Sequence, residues 1–129
     1  MFNELIDWPI TSDRLHWEGR QVLRDLDAEP HLLFRLTLSG THFPERSAEA
    51  FMQVGGHRSL FVTITPDGLV AHGYFDHPPP AVGPIEFGYG HRVLLRCRRG
   101  FDLRDVGLLK KALLPPNVRN LERFAGMVQ

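Results

Sequence analysis

The sequence predicts a mainly β protein, an antiparallel β-sandwich of about six or seven strands with one or two short helices at its C-terminal end. Two observations come from turns. Hydrophobic runs between residues 58 and 98 meet at Pro66-Asp67-Gly68 and again near Gly88-Tyr89-Gly90, as in consecutive β-hairpins. The third observation is a change of period, since apolar residues after residue 102 recur at helical spacing. We therefore expect strands first and helices last.

The composition bounds the class of protein. The 129 residues suit a single domain over 1–129, with a β core at 30–98 and a helical segment at 102–126. Fifteen lysines and arginines balance fifteen aspartates and glutamates, so no overall field attracts nucleic acid or an anionic membrane. Cys97 is the only cysteine, which excludes an intramolecular disulfide and a four-cysteine zinc site.

The sequence also indicates where the protein acts. Its first residues lack the basic start and apolar stretch of a signal peptide, and no apolar run reaches the roughly 18 residues of a membrane span. We expect a cytoplasmic protein without a membrane partner, and no motif indicates a cofactor.

The first 29 residues leave helix and strand open. One helical face would carry Leu15, Gly19, Val22 and Leu26, whereas residues 15–17 and 21–23 fit short strands, and the strand interpretation is slightly favoured. From residue 30 to residue 39, apolar and polar residues alternate as in a half-buried strand that ends at Gly40. Residues 41–50 indicate a polar loop or short helical turn, and residues 51–54 a strand stopped by Gly55-Gly56.

The next hairpin has two alternative registers. In a three-residue loop, residues 66–68 make the turn and Thr65 pairs with Leu69, which directs His72 and Tyr74 to the core. In a four-residue loop, Leu69 shares the face of the core residues, and His72 and Tyr74 point outward. Turn chemistry favours the three-residue loop and hydrophobic alternation favours the other, and a slip of one residue changes the face of every side chain.

The rest of the chain divides into strands and helices. Three prolines at 78–80 predict an extended connection, and alternation predicts strands over 85–89 and 92–98, with Cys97 in the core. Val106, Leu109 and Leu113 lie at helical spacing before Pro115-Pro116. A final short helix, capped by Asn117, would carry Val118, Leu121 and Phe124.

Two short segments carry a family resemblance. Residues 36–43, Leu-Thr-Leu-Ser-Gly-Thr-His-Phe, and residues 52–56, Met-Gln-Val-Gly-Gly, resemble IPT/TIG-type domains, in which one strand ends in Gly-x-x-Phe and a later one in Val-Gly-Gly. The likeness covers roughly residues 30–98 and omits the N-terminal strand and the C-terminal helices. It implies an immunoglobulin-like β-sandwich that serves as a spacer or binding module, with no catalytic residues.

A second resemblance suggests a ligand. Arg20 and Arg24 have the Arg-x-x-x-Arg spacing of PilZ domains, which bind cyclic di-GMP, and residues 63–68 weakly resemble the Asp/Asn-x-Ser-x-x-Gly motif of that family. Paired guanidiniums would grip phosphates and guanine edges. Thr63 departs from the family pattern, because it stands where the acidic or amide residue belongs.

Seven histidines suggest a metal site. The residues we expect closest together are His72, Asp76, His77 and His91, which offer imidazole and carboxylate ligands for zinc, nickel or iron. Their spacing fits neither alternate positions on a strand nor successive turns of a helix.

The last predicted strand suggests a recognition surface. Arg92, Arg96 and Arg98 alternate with apolar residues, so we expect them on one face, followed by Arg99 and partly neutralised by Glu86. No serine or cysteine lies in a nucleophile motif and no glycine pair forms a phosphate loop, so no enzyme activity is expected. We predict a small binding or assembly module, with a protein partner or a second copy at an open sheet edge or at these arginines.

Overall fold

The computed structural model describes residues 9–44 and 48–106. Strands dominate this part of the chain, which confirms the mainly β prediction. In chain order they are β1 Ile10–Ser12, β2 His16–Leu26, β3 Glu29–Ser39, β4 Ala50–Val54, β5 His57–Arg58, β6 Phe61–Ile64, β7 Val70–Phe75, β8 Val82–Gly83, β9 Ile85–Tyr89, β10 Arg92–Cys97 and β11 Phe101–Asp102.

The strands form three sheets. One has five strands in the order β1-β10-β9-β4-β5, one has four in the order β2-β3-β7-β6, and one pairs β11 with β8. Neighbouring strands are antiparallel except β1 and β10, which run parallel. The chain passes from the five-stranded to the four-stranded sheet between β5 and β6.

The strand interpretation of the N-terminal segment is confirmed, and the strand is longer than expected. β2 pairs with β3 over its whole length, from His16 opposite Ser39 to Leu26 opposite Glu29. Asp27 and Ala28 make the connecting two-residue turn with φ of 53° and 64°. Hairpins of this length need left-handed residues, and Asp adopts that conformation more readily than Ala.

The hairpin of β6 and β7 has the four-residue loop, so the register favoured by turn chemistry is wrong. Ile64 pairs with Ala71, and the Thr65 amide donates to the Val70 carbonyl at 3.0 Å. Gly68 does take the left-handed position, with φ of 73°, but Leu69 stays in the loop. The free energy gained by burying alternate apolar residues of both strands outweighed the preference of residues 66–68 for a three-residue loop.

A bulge in β10 changes the predicted arginine surface. The pairing with β9 shifts register between Val93 and Leu95. Because the extra residue interrupts the two-residue alternation, Arg92 before it and Arg96 after it project from opposite faces of the sheet. The prediction that Arg92, Arg96 and Arg98 share one face is therefore wrong, since it assumed a regular ladder.

Buried side chains of both larger sheets belong to one core cluster. Phe34 and Phe75 contribute from the four-stranded sheet, and Met52 and Phe87 from the five-stranded sheet. Gly73 of β7 lies so close to Met52 that an added Cβ would sit 2.6 Å from the Met52 sulfur. Glycine is thus required where the two sheets approach each other.

The described chain ends in a short 3-10 turn. It spans Leu103–Asp105, and the Asp102 side chain caps it by accepting from the Arg104 amide. The same carboxylate binds the Arg104 guanidinium, and these bonds lower the pKa of Asp102 to about 2. The two predicted helices, apart from their first residue Val106, lie outside the described residues.

Candidate metal centre

Three side chains with metal-ligating atoms meet beyond the end of β7. His57, Asp76 and His77 each place one donor atom within 4.8 Å of the other two. Asp76 Oδ1 lies 3.3 Å from His77 Nδ1 and 3.8 Å from His57 Nε2. We call these residues the His-Asp-His cluster.

Two local features bring the cluster together. The left-handed pair Gly55-Gly56, with φ of 56° and 86°, reverses β4 into β5, so that His57 pairs with Val54. On the other side, β7 ends at the fully buried Phe75, and Asp76-His77 begins the proline-rich connection. A glycine turn and a strand end thus place the ligands.

The ring of His57 is held between two neighbours. Its centroid lies 5.7 Å from that of Phe75 and 5.5 Å from that of His77, with interplanar angles of 25° and 28°. Because Phe75 is part of the core, this stack fixes one side of the imidazole. His57 Nε2 is buried and has no hydrogen-bond partner. A buried polar atom without a partner carries a desolvation cost, so it calls for a ligand that the fold itself does not supply.

The donor set suits a transition metal. Zinc binds imidazole nitrogen at about 2.0–2.1 Å, and tetrahedral bonds of that length put neighbouring donors about 3.3 Å apart. The Asp76–His77 separation of 3.3 Å has this value, and the Asp76–His57 separation of 3.8 Å is slightly longer. The side chains of His57, Asp76 and His77 are 35%, 51% and 57% exposed, so an ion can enter from solvent. Three protein ligands leave a further coordination position open.

Only part of the predicted metal set lies in the cluster, namely Asp76 and His77. His72 lies within β7, where its Nδ1 is 2.9 Å from the Thr37 hydroxyl. Burial, together with the charges of Arg35 and Arg24, lowers the pKa of His72. His91 is exposed in the β9–β10 turn, at the opposite end of β4 from His57.

The four predicted binding arginines are divided among different environments. Arg96 donates to Glu86 Oε2 from Nε at 3.0 Å and from Nη2 at 2.6 Å, which confirms that Glu86 neutralises one of them. Arg99 stacks over Trp17 with its guanidinium carbon 4.4 Å from the ring centroid. Arg98 follows β10 and lines a cleft together with Arg99. Arg92 is the first residue of β10 and projects from the face opposite to that of Arg96.

The arginine pair of the PilZ resemblance lies on β2. Arg20 forms an ion pair with Glu18, and Arg24 stacks over Tyr74 at 4.5 Å. Residues 63–68 lie on β6 and its turn, at the opposite edge of the four-stranded sheet. Two strands separate β2 and β6, so the edges are about 14 Å apart.

His57 is the cluster residue that sequence reasoning missed. A signal for it was present in the hairpin of β6 and β7. If the pairing of Phe61 with Tyr74 is extrapolated outward, residues 57–59 come level with residues 76–78, although β5 itself pairs with β4. A histidine in the first of these segments therefore belongs with Asp76 and His77.

Comparisons with protein-family models, with curated proteins and with solved structures returned no match for this chain. Within 9–44 and 48–106, no helix has the length and apolar character needed to cross a bilayer.

Proposed function

We propose that this protein is a non-enzymatic binding module whose ligand is a divalent transition-metal ion held by His57, Asp76 and His77. The observation that carries the proposal is the convergence of three donor atoms within 4.8 Å of one another. The partnerless His57 Nε2 supports it, because a metal would supply the missing interaction.

The ligand chemistry selects the class of ion. Two imidazoles and one carboxylate suit zinc, nickel, cobalt or iron, whereas calcium and magnesium require mostly oxygen ligands. With three protein ligands, the ion keeps a position for water or for a group from a partner molecule. Because structural zinc sites are closed by four protein ligands, a metal at this surface would bind water or bridge to a partner.

Zinc titration in competition with a chelating indicator tests the proposal. We expect the wild-type protein to bind one zinc ion and the Asp76→Asn variant to lose at least about tenfold in affinity, because loss of even an outer-shell group costs that much. His57→Ala should lose as much. His72→Ala and His91→Ala are the matched controls, because each removes a histidine outside the cluster, and both should bind zinc as the wild type does.

The outcomes are separable. Calcium or magnesium should not displace zinc at equal concentration. If zinc affinity is equal in the wild type and in Asp76→Asn, the cluster is not the site. If His72→Ala weakens binding instead, zinc binds elsewhere and the proposal fails.

The fold that we propose for this module is an immunoglobulin-like sandwich of the kind the IPT/TIG resemblance implies. The shared core of Phe34, Phe75, Met52 and Phe87 supports it, because the residues come from both larger sheets. The close approach of Gly73 to Met52 supports it as well. Sheets that contribute to one core at this proximity are typical of sandwiches.

A second candidate function is self-association through β2. This strand has 11 residues and is an edge of the four-stranded sheet, paired among the described strands with β3 alone. A long edge presents unpaired backbone groups that another strand can bind, here the β2 of a second copy. Self-association through β2 would be an assembly role of the kind that the sequence suggests.

Two proline variants test this edge. Adjacent amides in a strand point to opposite sides, so one of Val22→Pro and Leu23→Pro removes an edge donor and the other removes a bond to β3. The variant that keeps the wild-type melting temperature identifies the edge donor. We expect that variant to weaken the dimer in light scattering over a range of concentrations. A wild-type protein that stays monomeric throughout overturns the candidate.

A further inference from the structure

A cleft opens at the end of β10, in a part of the molecule that shares no residue with the His-Asp-His cluster. Its volume is about 420 Å³, and its walls are formed by Asp13, Leu15, His16, Trp17, Arg98 and Arg99. A cleft of this size can hold a small molecule or one end of a larger one.

The walls are fixed by contacts to the core. The Arg98 amide donates to the Ser12 carbonyl at 2.9 Å, and the Cys97 thiol donates to the Leu15 carbonyl at 3.3 Å. Gly40 passes so close to Arg14 that an added Cβ would overlap the Arg14 carbonyl. The segment between β1 and β2 is therefore held from two sides, and the cleft is formed before any ligand binds.

Guanidiniums outnumber carboxylates among the residues that line the cleft. Two guanidiniums, of Arg98 and Arg99, stand against one carboxylate, of Asp13. Arg98 has no ion pair with any described residue, whereas Arg99 has one, a long contact of 3.8 Å to Asp105, which lies outside the cleft. In a neighbouring cleft of about 370 Å³ on the other side of Arg99, both guanidiniums have a carboxylate partner, Glu18 for Arg20 and Asp105 for Arg99. The cation that distinguishes the first cleft is therefore Arg98.

Trp17 supports the Arg99 side of the cleft. Its indole ring is 8% exposed and lies between Phe101, at 5.1 Å, and the Arg99 guanidinium. Its Nε1 atom is buried without a hydrogen-bond partner. Because this atom has no exposed surface, a ligand in the cleft would act on Trp17 through Arg99, whose guanidinium covers one face of the ring.

We propose that this cleft binds the oxyanion group of a small molecule, a phosphate or a carboxylate. Arg98 and Arg99 supply the guanidinium donors, and the Trp17 ring holds the Arg99 group in place. Guanidinium groups bind both kinds of oxyanion with charge-assisted hydrogen bonds, and the stack on Trp17 orients the Arg99 group before binding. Asp13 restricts the site to anions small enough to avoid its carboxylate.

The indole N–H signal of Trp17 reports on the cleft, because Arg99 stacks on the same ring. The chain has two tryptophans, so a nitrogen–proton correlation spectrum contains two indole signals, which the Trp8→Phe variant assigns. The titrants are sodium phosphate and sodium succinate, with sodium chloride at matched ionic strength as the reference. We expect a saturable change in the Trp17 signal with an oxyanion and none with chloride.

The two oxyanions distinguish the source of the ligand. A response to phosphate alone identifies a phosphate-bearing ligand, a response to succinate alone identifies a carboxylate, and a response to both identifies a general oxyanion site. Arg98→Gln should weaken binding about tenfold, the effect of one charged hydrogen bond. Arg14→Gln is the matched control, because it removes the same charge from the adjoining segment without lining the cleft.

Two results would overturn the proposal. One is a Trp17 signal that responds to neither oxyanion. The other is an equal loss of affinity in Arg14→Gln and Arg98→Gln, which would show a general charge effect instead of a site. Neither result depends on zinc binding, so this proposal and the metal proposal fail separately.

Discussion

Two carboxylates of this protein are each flanked by two nitrogen-bearing side chains, but only one of them is fully bonded. Glu86 lies in register with Gln53 and Arg96 on the neighbouring strands. It accepts from Gln53 Nε2 at 2.8 Å on one oxygen and from Arg96 at 2.6 and 3.0 Å on the other. Asp76 lies 3.8 Å from His57 Nε2, which is too long for a hydrogen bond.

The difference separates a structural network from a candidate binding site. Glu86 is 7% exposed and is held by three adjacent strands, so each of its oxygens has a donor. Amide nitrogens and guanidiniums have no lone pair to offer a metal, whereas imidazoles do. The network of Gln53, Glu86 and Arg96 therefore has no ligating atom to offer a metal. The His-Asp-His cluster, in contrast, lacks one interaction that a metal can provide.

The largest effect on stability should come from breaking the network of Gln53, Glu86 and Arg96. We expect Glu86→Gln to lower the free energy of unfolding by about 2–3 kcal/mol, because it removes the charge that compensates the partly buried Arg96. It also places an amide N–H₂ group against existing donors. Urea denaturation followed by far-ultraviolet circular dichroism measures the loss.

The matched change in the open cluster should behave differently. In metal-free buffer, Asp76→Asn should change the free energy of unfolding by no more than about 0.5 kcal/mol, since exposed pairs contribute little. Equal losses in Glu86→Gln and Asp76→Asn would contradict the comparison, because the cluster would then be structural as well. Zinc affinity should be unchanged in Glu86→Gln.

Patterns along the chain were enough to predict most strands. Alternation identified the strand that begins near residue 30, and glycine turns identified the ends of β4 and β9. These features depend on neighbours in sequence. The sequence also predicted that Glu86 neutralises an arginine, because adjacent strands of a hairpin bring such residues opposite each other.

Features that depend on distant contacts were missed. The loop of the β6–β7 hairpin was decided by burial of Ala71 and Phe75, which outweighed the turn chemistry of residues 66–68. The bulge before Leu95 has no distinct sequence signal, yet it separates Arg92 from Arg96. His57 on β5 of the five-stranded sheet lies beside Asp76 after β7 of the four-stranded sheet, so this contact depends on how the two sheets pack. The hairpin loop, the bulge and the position of His57 all depend on how the whole core packs.

The smallest expected effect concerns His72, the predicted metal ligand that lies outside the cluster. Burial, and then the charges of Arg35 and Arg24, lower its pKa from the ordinary value of 6.5. The unfolded state therefore takes up this proton more readily than the folded state. Stability is unaffected above about pH 6.5 and is lost as the pH falls from there through the lowered pKa of the folded protein.

Proton titration of the His72 ring by nuclear magnetic resonance checks this directly. We expect a midpoint below 6.5, which Arg35→Gln should raise by removing one of the two charges. His72→Asn should give a flatter stability profile than the wild type between about pH 7 and 5, while zinc affinity stays the same. A His72 midpoint above 6.5, or a zinc affinity that falls in His72→Asn, would mean that this histidine interacts with an anionic or metal site. The distinction between the cluster and the rest of the histidines would then be lost.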